Sequence, residues 1–274
     1  MIIKLSRYAI FLKGIMIEYY WGNGGDWGMR GMYIKSNRIN LLFRIAYLFI
    51  CGFGIVSHFS LHDNVKNINM LSYFTIQSNI VCFFVMLCSI GHSFISIRKK
   101  IYHNYARVHL FLKGLALLMI TITFLTYNMV LTGTGFSMTK EISDTLSVND
   151  KIVHFIVPVL TWIEFLVFQP KGSFKLVDPL RWLLAPVAYF IFIMIKARYV
   201  STSTYGEGIK KYPYFFMDVE TYGPWQLAKY VLIFTIVTLI IGYIIRTIDF
   251  ILGMIYTKVQ KFRLKRRAAR RKRC

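Results

Sequence analysis

Acidic residues are scarce in this chain: Asp and Glu total 12 against 34 Lys and Arg in 274 residues, a formal net charge of +22. Charge of either sign is thin as well, at 17%, where a soluble domain carries about a quarter. There are only 4 cysteines and 6 prolines. So few cysteines exclude a disulfide scaffold. The glycine and proline content excludes a collagen-like chain, and the shortage of charge excludes a disordered one. What is abundant is apolar surface: 56% hydrophobic residues, with 23 Phe and 18 Tyr, and a mean hydropathy of +0.50. An ordinary soluble enzyme does not have this composition. An integral membrane protein does.

A bilayer core takes about 20 mostly apolar helical residues to cross. Six stretches reach that length: 38–59, 71–97, 107–131, 150–169, 180–200 and 224–252. The dyad alternation of a membrane β-barrel is absent. The expected fold is therefore an all-α integral membrane bundle of six transmembrane helices. Residues 1–36 form an N-terminal extension, 37–255 the six-helix membrane domain and 256–274 a basic tail.

Orientation follows from the loops. Arg98, Lys99, Lys100 and Arg107 face no acid in loop 98–107, and Lys171, Lys175 and Arg181 face only Asp178 in loop 170–181. The tail carries ten basic residues from Lys258 to Arg273 and no acid. On the other side Lys140 is balanced by Glu141 and Asp144, and Lys210 and Lys211 by Glu207, Asp218 and Glu220. By the positive-inside rule both termini are cytoplasmic.

Within the extension, residues 8–20 are apolar but too short to span. Gly24-Gly25 is encoded by GGN-GGN, which can spell a ribosome-binding sequence three codons before Met29. Met29 or Met32 is thus an expected start, with residues 1–28 an artefact. An interfacial amphipathic helix or an inefficient signal peptide is the alternative. Cys51, Cys82 and Cys88 lie in spans and Cys274 is terminal, with no CxxC and no prenylation box. Neither a metal-ligand cluster nor a phosphate-binding glycine loop is present, so no cofactor and no metal are expected.

Polar groups inside a membrane are costly and turn toward a bundle interior or cavity. Thr75, Ser78, Asn79, Cys82 and Met86 form one stripe on span two, and His154, Pro158, Thr161 and Phe165 form one on span four. Thr75 and His154 each sit one turn below the outer surface. Tyr127 and Asn128 end span three at that depth. Lys196 and Arg198 end span five there, and the last outer loop adds Tyr212, Tyr214 and Asp218. All can line one outward cavity. An imidazole beside a Thr hydroxyl can take its proton as it attacks, and Asn79 or Tyr127 can polarise an oxyanion. The ordinary alternative is a Thr bonded to its own helix and a histidine satisfied as a polar contact.

Three strings carry a resemblance: Tyr73-Phe74-Thr75-Ile76-Gln77-Ser78-Asn79, then His154 with Pro158, then Tyr212-Pro213-Tyr214 followed by Phe216 and Asp218. Over about 38–252 the chain resembles the bacterial branch of the androgen-induced/androgen-dependent (FAR-17a-like) six-span integral membrane protein family. That resemblance implies an intramembrane hydrolase of fatty acid esters with a Thr nucleophile, matched by Thr75, and a His, matched by His154. More distant relatives imply acyl transfer instead. The bacterial branch has an arginine-glycine pair seven residues beyond a Tyr at the end of span five. Here the positions are Lys196 and Ala197, which keep a cation but lose its fork.

The expected function is hydrolysis of fatty acyl esters or acylated lipids by Thr75 and His154. The rival is a small proton-coupled transporter or channel using Glu164, an intramembrane carboxylate level with Arg44 and Lys113, either of which can instead pair with it. Expected partners are membrane lipids, a lipid-ester substrate and anionic headgroups at the 258–273 tail, with no nucleic acid. If the orientation is correct, single cysteines placed in loops 60–70, 132–149 and 201–223 react with an impermeant maleimide on intact cells. Reaction at 103 or 173 instead reverses the topology.

Overall fold

The computed structural model of the chain describes residues 36–59, 63–99, 107–131, 148–202 and 209–271. The proposed upstream segment 1–28 and most of loop 132–149 lie outside them. The described residues are all-helical: α1 (Asn37–Val56), α2 (Asn64–Leu71), α3 (Phe74–Arg98), α4 (Arg107–Leu125, continued by a π-helical segment Thr126–Leu131), α5 (Val148–Phe168), α6 (Asp178–Trp182), α7 (Leu184–Thr202) and α8 (Val219–Arg271). Six of these helical stretches are long and apolar enough to cross a membrane. They fall where the sequence places its spans.

α4 is the central helix. It packs on α3, α5, α7 and α8, and 61% of its most apolar window is buried, against 22% for α8. Small residues make that centrality possible. A Cβ on Gly114 would stand 2.1 Å from the Trp182 ring. Its absence lets the fully buried Trp182 lie across α4 and donate its indole N–H to the Phe111 carbonyl at 3.1 Å. Outward-facing apolar residues such as Phe49, Leu232 and Ile240 remain exposed, as a lipid-facing surface requires.

The half of the bundle away from Thr75 is tied by ions. Arg44 donates from Nε and Nη2 to Glu164 Oε1 at 3.1 and 2.8 Å, and Lys113 Nζ reaches the same oxygen. Arg44 Nη1 also donates to the Ser89 carbonyl at 3.2 Å and to Ser93 Oγ. Glu164 therefore joins α1, α3, α4 and α5 in one buried network.

Three features differ from expectation. First, Lys171 is not a surface charge of loop 170–181. It is buried and donates to the carbonyls of Phe165 and Gln169, and burial pushes its ammonium down to about 8. The loop folds inward because Gly172, at φ +71, comes against Gly253, where a Cβ would lie 3.0 Å from the Gly172 Cα. Its amide bonds the Asp249 carbonyl at 3.1 Å. Second, the span-two helix begins at Phe74 rather than Leu71, after a separate short α2. Third, α8 does not stop at 252: beyond the break at Gly223 it is helical from Pro224 to Arg271, 48 residues. At 1.5 Å per residue that is about 72 Å, far beyond a bilayer core of about 30 Å. Lys and Arg are good helix formers, so the basic segment continues the helix.

If the Glu164 network is structural, Glu164→Gln lowers stability by about 3–5 kcal/mol, the cost of stranding a buried partner. Thermal melts in detergent measure the loss. Any activity per folded molecule stays near wild type.

Candidate active site

The turn between α2 and α3 sets the site. Ser72 Oγ donates back to the Ile68 carbonyl at 2.8 Å, and Tyr73 is extended at φ −78, ψ 133. Helical bonding restarts at Phe74, so Thr75 is the second residue of α3. Backbone amides in a first turn have no partner in their own helix, and Phe74 N–H donates to Tyr214 Oη at 3.2 Å.

His154 lies in a π-helical turn, Ile152–Ile156, at the head of α5. Its Nδ1 stands 2.9 Å from the Asp150 carbonyl. A carbonyl only accepts, so in the neutral ring Nδ1 holds the proton and Nε2 keeps its lone pair. Nε2 faces Thr75 Oγ1 at 3.2 Å, and the Thr75 hydroxyl is the donor. The Tyr127 ring stacks on the imidazole with centroids 3.8 Å apart and planes 20° off parallel. Tyr127 also belongs to a π-helical segment. Such turns recur at functional sites because the extra residue re-aims a side chain. Here two of them bring Tyr127 and His154 face to face.

Thr75, Tyr127 and Tyr214 line a cavity of about 180 Å³, whose other walls are mostly apolar and include Phe74, Ile122, Phe190, Val231 and Phe234. His154 stands behind Thr75 and is 1% exposed. One wall is thin. α7 and α8 scarcely touch, and α8 buries no residue before Thr238. Gly223, at φ +76, and Pro224 bend the head of α8.

The remaining candidates are not in the cavity wall. Asn79 is fully buried, and its amide donates to the carbonyls of Thr75 at 2.8 Å and Val153 at 3.1 Å. It ties α3 to α5 under the Thr75–His154 pair and presents no donor to an oxyanion there. Asn128 is exposed and donates to the Phe124 carbonyl of its own helix at 2.7 Å. Lys196 Nζ donates to the Lys210 carbonyl at 2.8 Å, fastening α7 to the outer loop. Tyr212 packs at the rim of the main core. Asp218 caps α8, accepting from the amides of Glu220 and Thr221 at 3.0 Å and from the Thr221 hydroxyl at 2.7 Å. The Thr221 hydroxyl, with those amides, holds its carboxyl below the usual range.

Sequence reasoning missed His58 and Asp150. His58 Nδ1 donates to the Gly54 carbonyl at 2.7 Å, and Nε2 meets Asp150 Oδ1 at 3.1 Å. Both residues are buried. The signal was present: each stands at the same end of its span as Thr75. The result is a chain of contacts, His58 to the Asp150 side chain, then the Asp150 backbone to His154, then His154 to Thr75.

No protein-family model, curated protein or solved structure matches the chain.

Asp150 touches the two histidines through different atoms, and this yields a test. Asp150→Ala strands His58 and costs about 1–3 kcal/mol in melting experiments. It leaves the carbonyl that orients His154 in place, so a structure of the variant keeps the Thr75–His154 contact. Loss of that contact shows that the carboxylate, and not the carbonyl, holds the ring.

Proposed function

We propose that the protein is a multi-pass enzyme of the cell membrane, both termini cytoplasmic, that hydrolyses fatty acyl esters or acylated lipids with Thr75 as nucleophile. The observation that carries this reading is the 3.2 Å contact between Thr75 Oγ1 and His154 Nε2 at the wall of an apolar cavity. The resemblance to the FAR-17a-like family supports it independently, since it points to the same two residues.

Thr75 Oγ attacks the ester carbonyl carbon and its proton passes to His154 Nε2. The tetrahedral intermediate collapses, the carbon–oxygen bond to the alcohol breaks, and the alkoxide takes the proton from Nε2. An acyl-Thr75 ester remains. Water then attacks it, again giving a proton to Nε2, and the fatty acid leaves as Thr75 recovers its proton. An acceptor alcohol in place of water gives acyl transfer by the same steps. The apolar walls accommodate an acyl chain. Glu164, engaged by Arg44 and Lys113, is a structural carboxylate in this reading rather than a proton carrier. The basic segment after Tyr256 engages anionic headgroups on the cytoplasmic side.

Purified protein should hydrolyse long-chain esters in detergent. Thr75→Ala and His154→Ala should each lower kcat by about 10³-fold or more, with the double variant no worse than about 3-fold below either single, because members of a catalytic unit are strongly non-additive. Thr75→Ser keeps a hydroxyl and should retain measurable turnover. Additive losses, or a fully active Thr75→Ala, refute the assignment.

A further inference from the structure

Nucleophilic attack on an ester leaves a negative charge on the former carbonyl oxygen, and Asn79, the residue on α3 best spaced to meet it, is spent on two backbone carbonyls. A different group stands at the right place. Tyr214 is buried, lines the cavity beside Thr75, and accepts the Phe74 amide proton at 3.2 Å. The Thr75 hydroxyl and amide both act on its phenol oxygen, each favouring the phenolate and so opposing the larger effect of burial. The ring is clamped edge-on to Tyr73, with centroids 5.8 Å apart, and flat against Phe216 at 5.1 Å.

We infer that Tyr214 is a catalytic residue, the oxyanion donor of this site, a role that rests on Thr75 being the nucleophile. The phenol oxygen accepts from Phe74 N–H, so its own O–H proton is directed elsewhere than that amide, and Tyr214 and Thr75 line the same cavity. As Oγ bonds the carbonyl carbon, negative charge appears on an oxygen attached to that same carbon. The phenol O–H shifts to it while the Phe74 amide polarises the phenol from behind. No proton is transferred to the oxyanion: the intermediate is stabilised by the hydrogen bond and reverts to a carbonyl on collapse. Burial pushes the Tyr214 phenol well above its ordinary range, so it stays protonated and remains a donor at neutral pH. Two properties suit the role. The donor is held by Phe216 flat against one ring face, by the edge-on contact with Tyr73 and at its oxygen, so little reorganisation accompanies the reaction. It also comes from the outer loop before α8, not from the helices that carry Thr75 and His154.

The test uses full-length protein in nanodiscs, with 4-nitrophenyl octanoate as substrate and octyl trifluoromethyl ketone as a tetrahedral-adduct inhibitor. Tyr214→Phe is expected to lower kcat by about 10²–10³-fold, the usual effect of losing one oxyanion donor, with KM within about 3-fold. Affinity for the ketone falls in parallel, while affinity for the matching octyl ether, which forms no oxyanion, stays unchanged. If Tyr214→Phe does not fold, 3,5-difluorotyrosine placed at 214 keeps the hydroxyl. It should move the alkaline limb of kcat to lower pH, because a phenolate cannot donate. Wild-type turnover that Thr75→Ala abolishes but Tyr214→Phe leaves within about 3-fold, or an alkaline limb that does not move, overturns the role of Tyr214 and keeps the nucleophile. Equal loss of ketone and ether binding also overturns it, since that marks a packing residue. No wild-type hydrolysis, with no ketone adduct on Thr75, overturns the hydrolase reading and this role together.

Discussion

A hydrocarbon interior offers no water, so a polar group inside it is costly unless the protein supplies its partner. The internal arrangement follows from that constraint. The polar residues of the six apolar helices gather in two layers. The inner layer is ionic: Arg44 and Lys113 converge on Glu164 Oε1, and Lys171 is drawn in from the loop to cap carbonyls at the end of α5. The outer layer is neutral at its centre and graded outward. Thr75 meets His154, His154 meets the Asp150 backbone, and the Asp150 side chain meets His58.

The two layers differ in what they leave available. Around Glu164 the carboxylate is gripped by a guanidinium and an ammonium, which suits a fastening between α1, α4 and α5. Around Thr75 the hydroxyl has a proton acceptor on one side and an apolar cavity on the other. Glu164 and Lys113 line a cavity of only about 20 Å³, against about 180 Å³ beside Thr75, and a nucleophile needs the larger space. The π-helical turns support this distinction in the outer layer, because each spends regular helical bonding to put one ring, Tyr127 or His154, against the other.

Much of this was legible in the sequence, for a physical reason. Apolar runs of about 20 residues locate spans directly, and helical periodicity located the inward faces. Thr75, Ser78, Asn79, Cys82 and Met86 are all buried on α3, as their spacing requires. Equal depth then paired Thr75 with His154. What stayed hidden depends on details that periodicity does not carry. Asn79 lies on the correct face, yet its amide turns along the helices to two carbonyls. Asn128 falls where α4 has become π-helical, and it faces outward. Lys171 counted as a loop charge because nothing local signals that Gly172 and Gly253 allow the loop to fold in. Asp150 works through a backbone carbonyl, which residue identity does not reveal. The extent of α8 was underread because hydropathy ends where lipid ends, whereas helix formation does not.

The most direct test of Thr75 as a nucleophile is the covalent intermediate itself. Protein incubated with a long-chain ester, acid-quenched during turnover and digested, is analysed by peptide mass spectrometry. An acyl mass on the peptide holding Thr75, enriched in His154→Ala if deacylation slows more than acylation and absent from Thr75→Ala, is the predicted result. Ester hydrolysis with the acyl mass on another residue, or unchanged hydrolysis by Thr75→Ala, contradicts it.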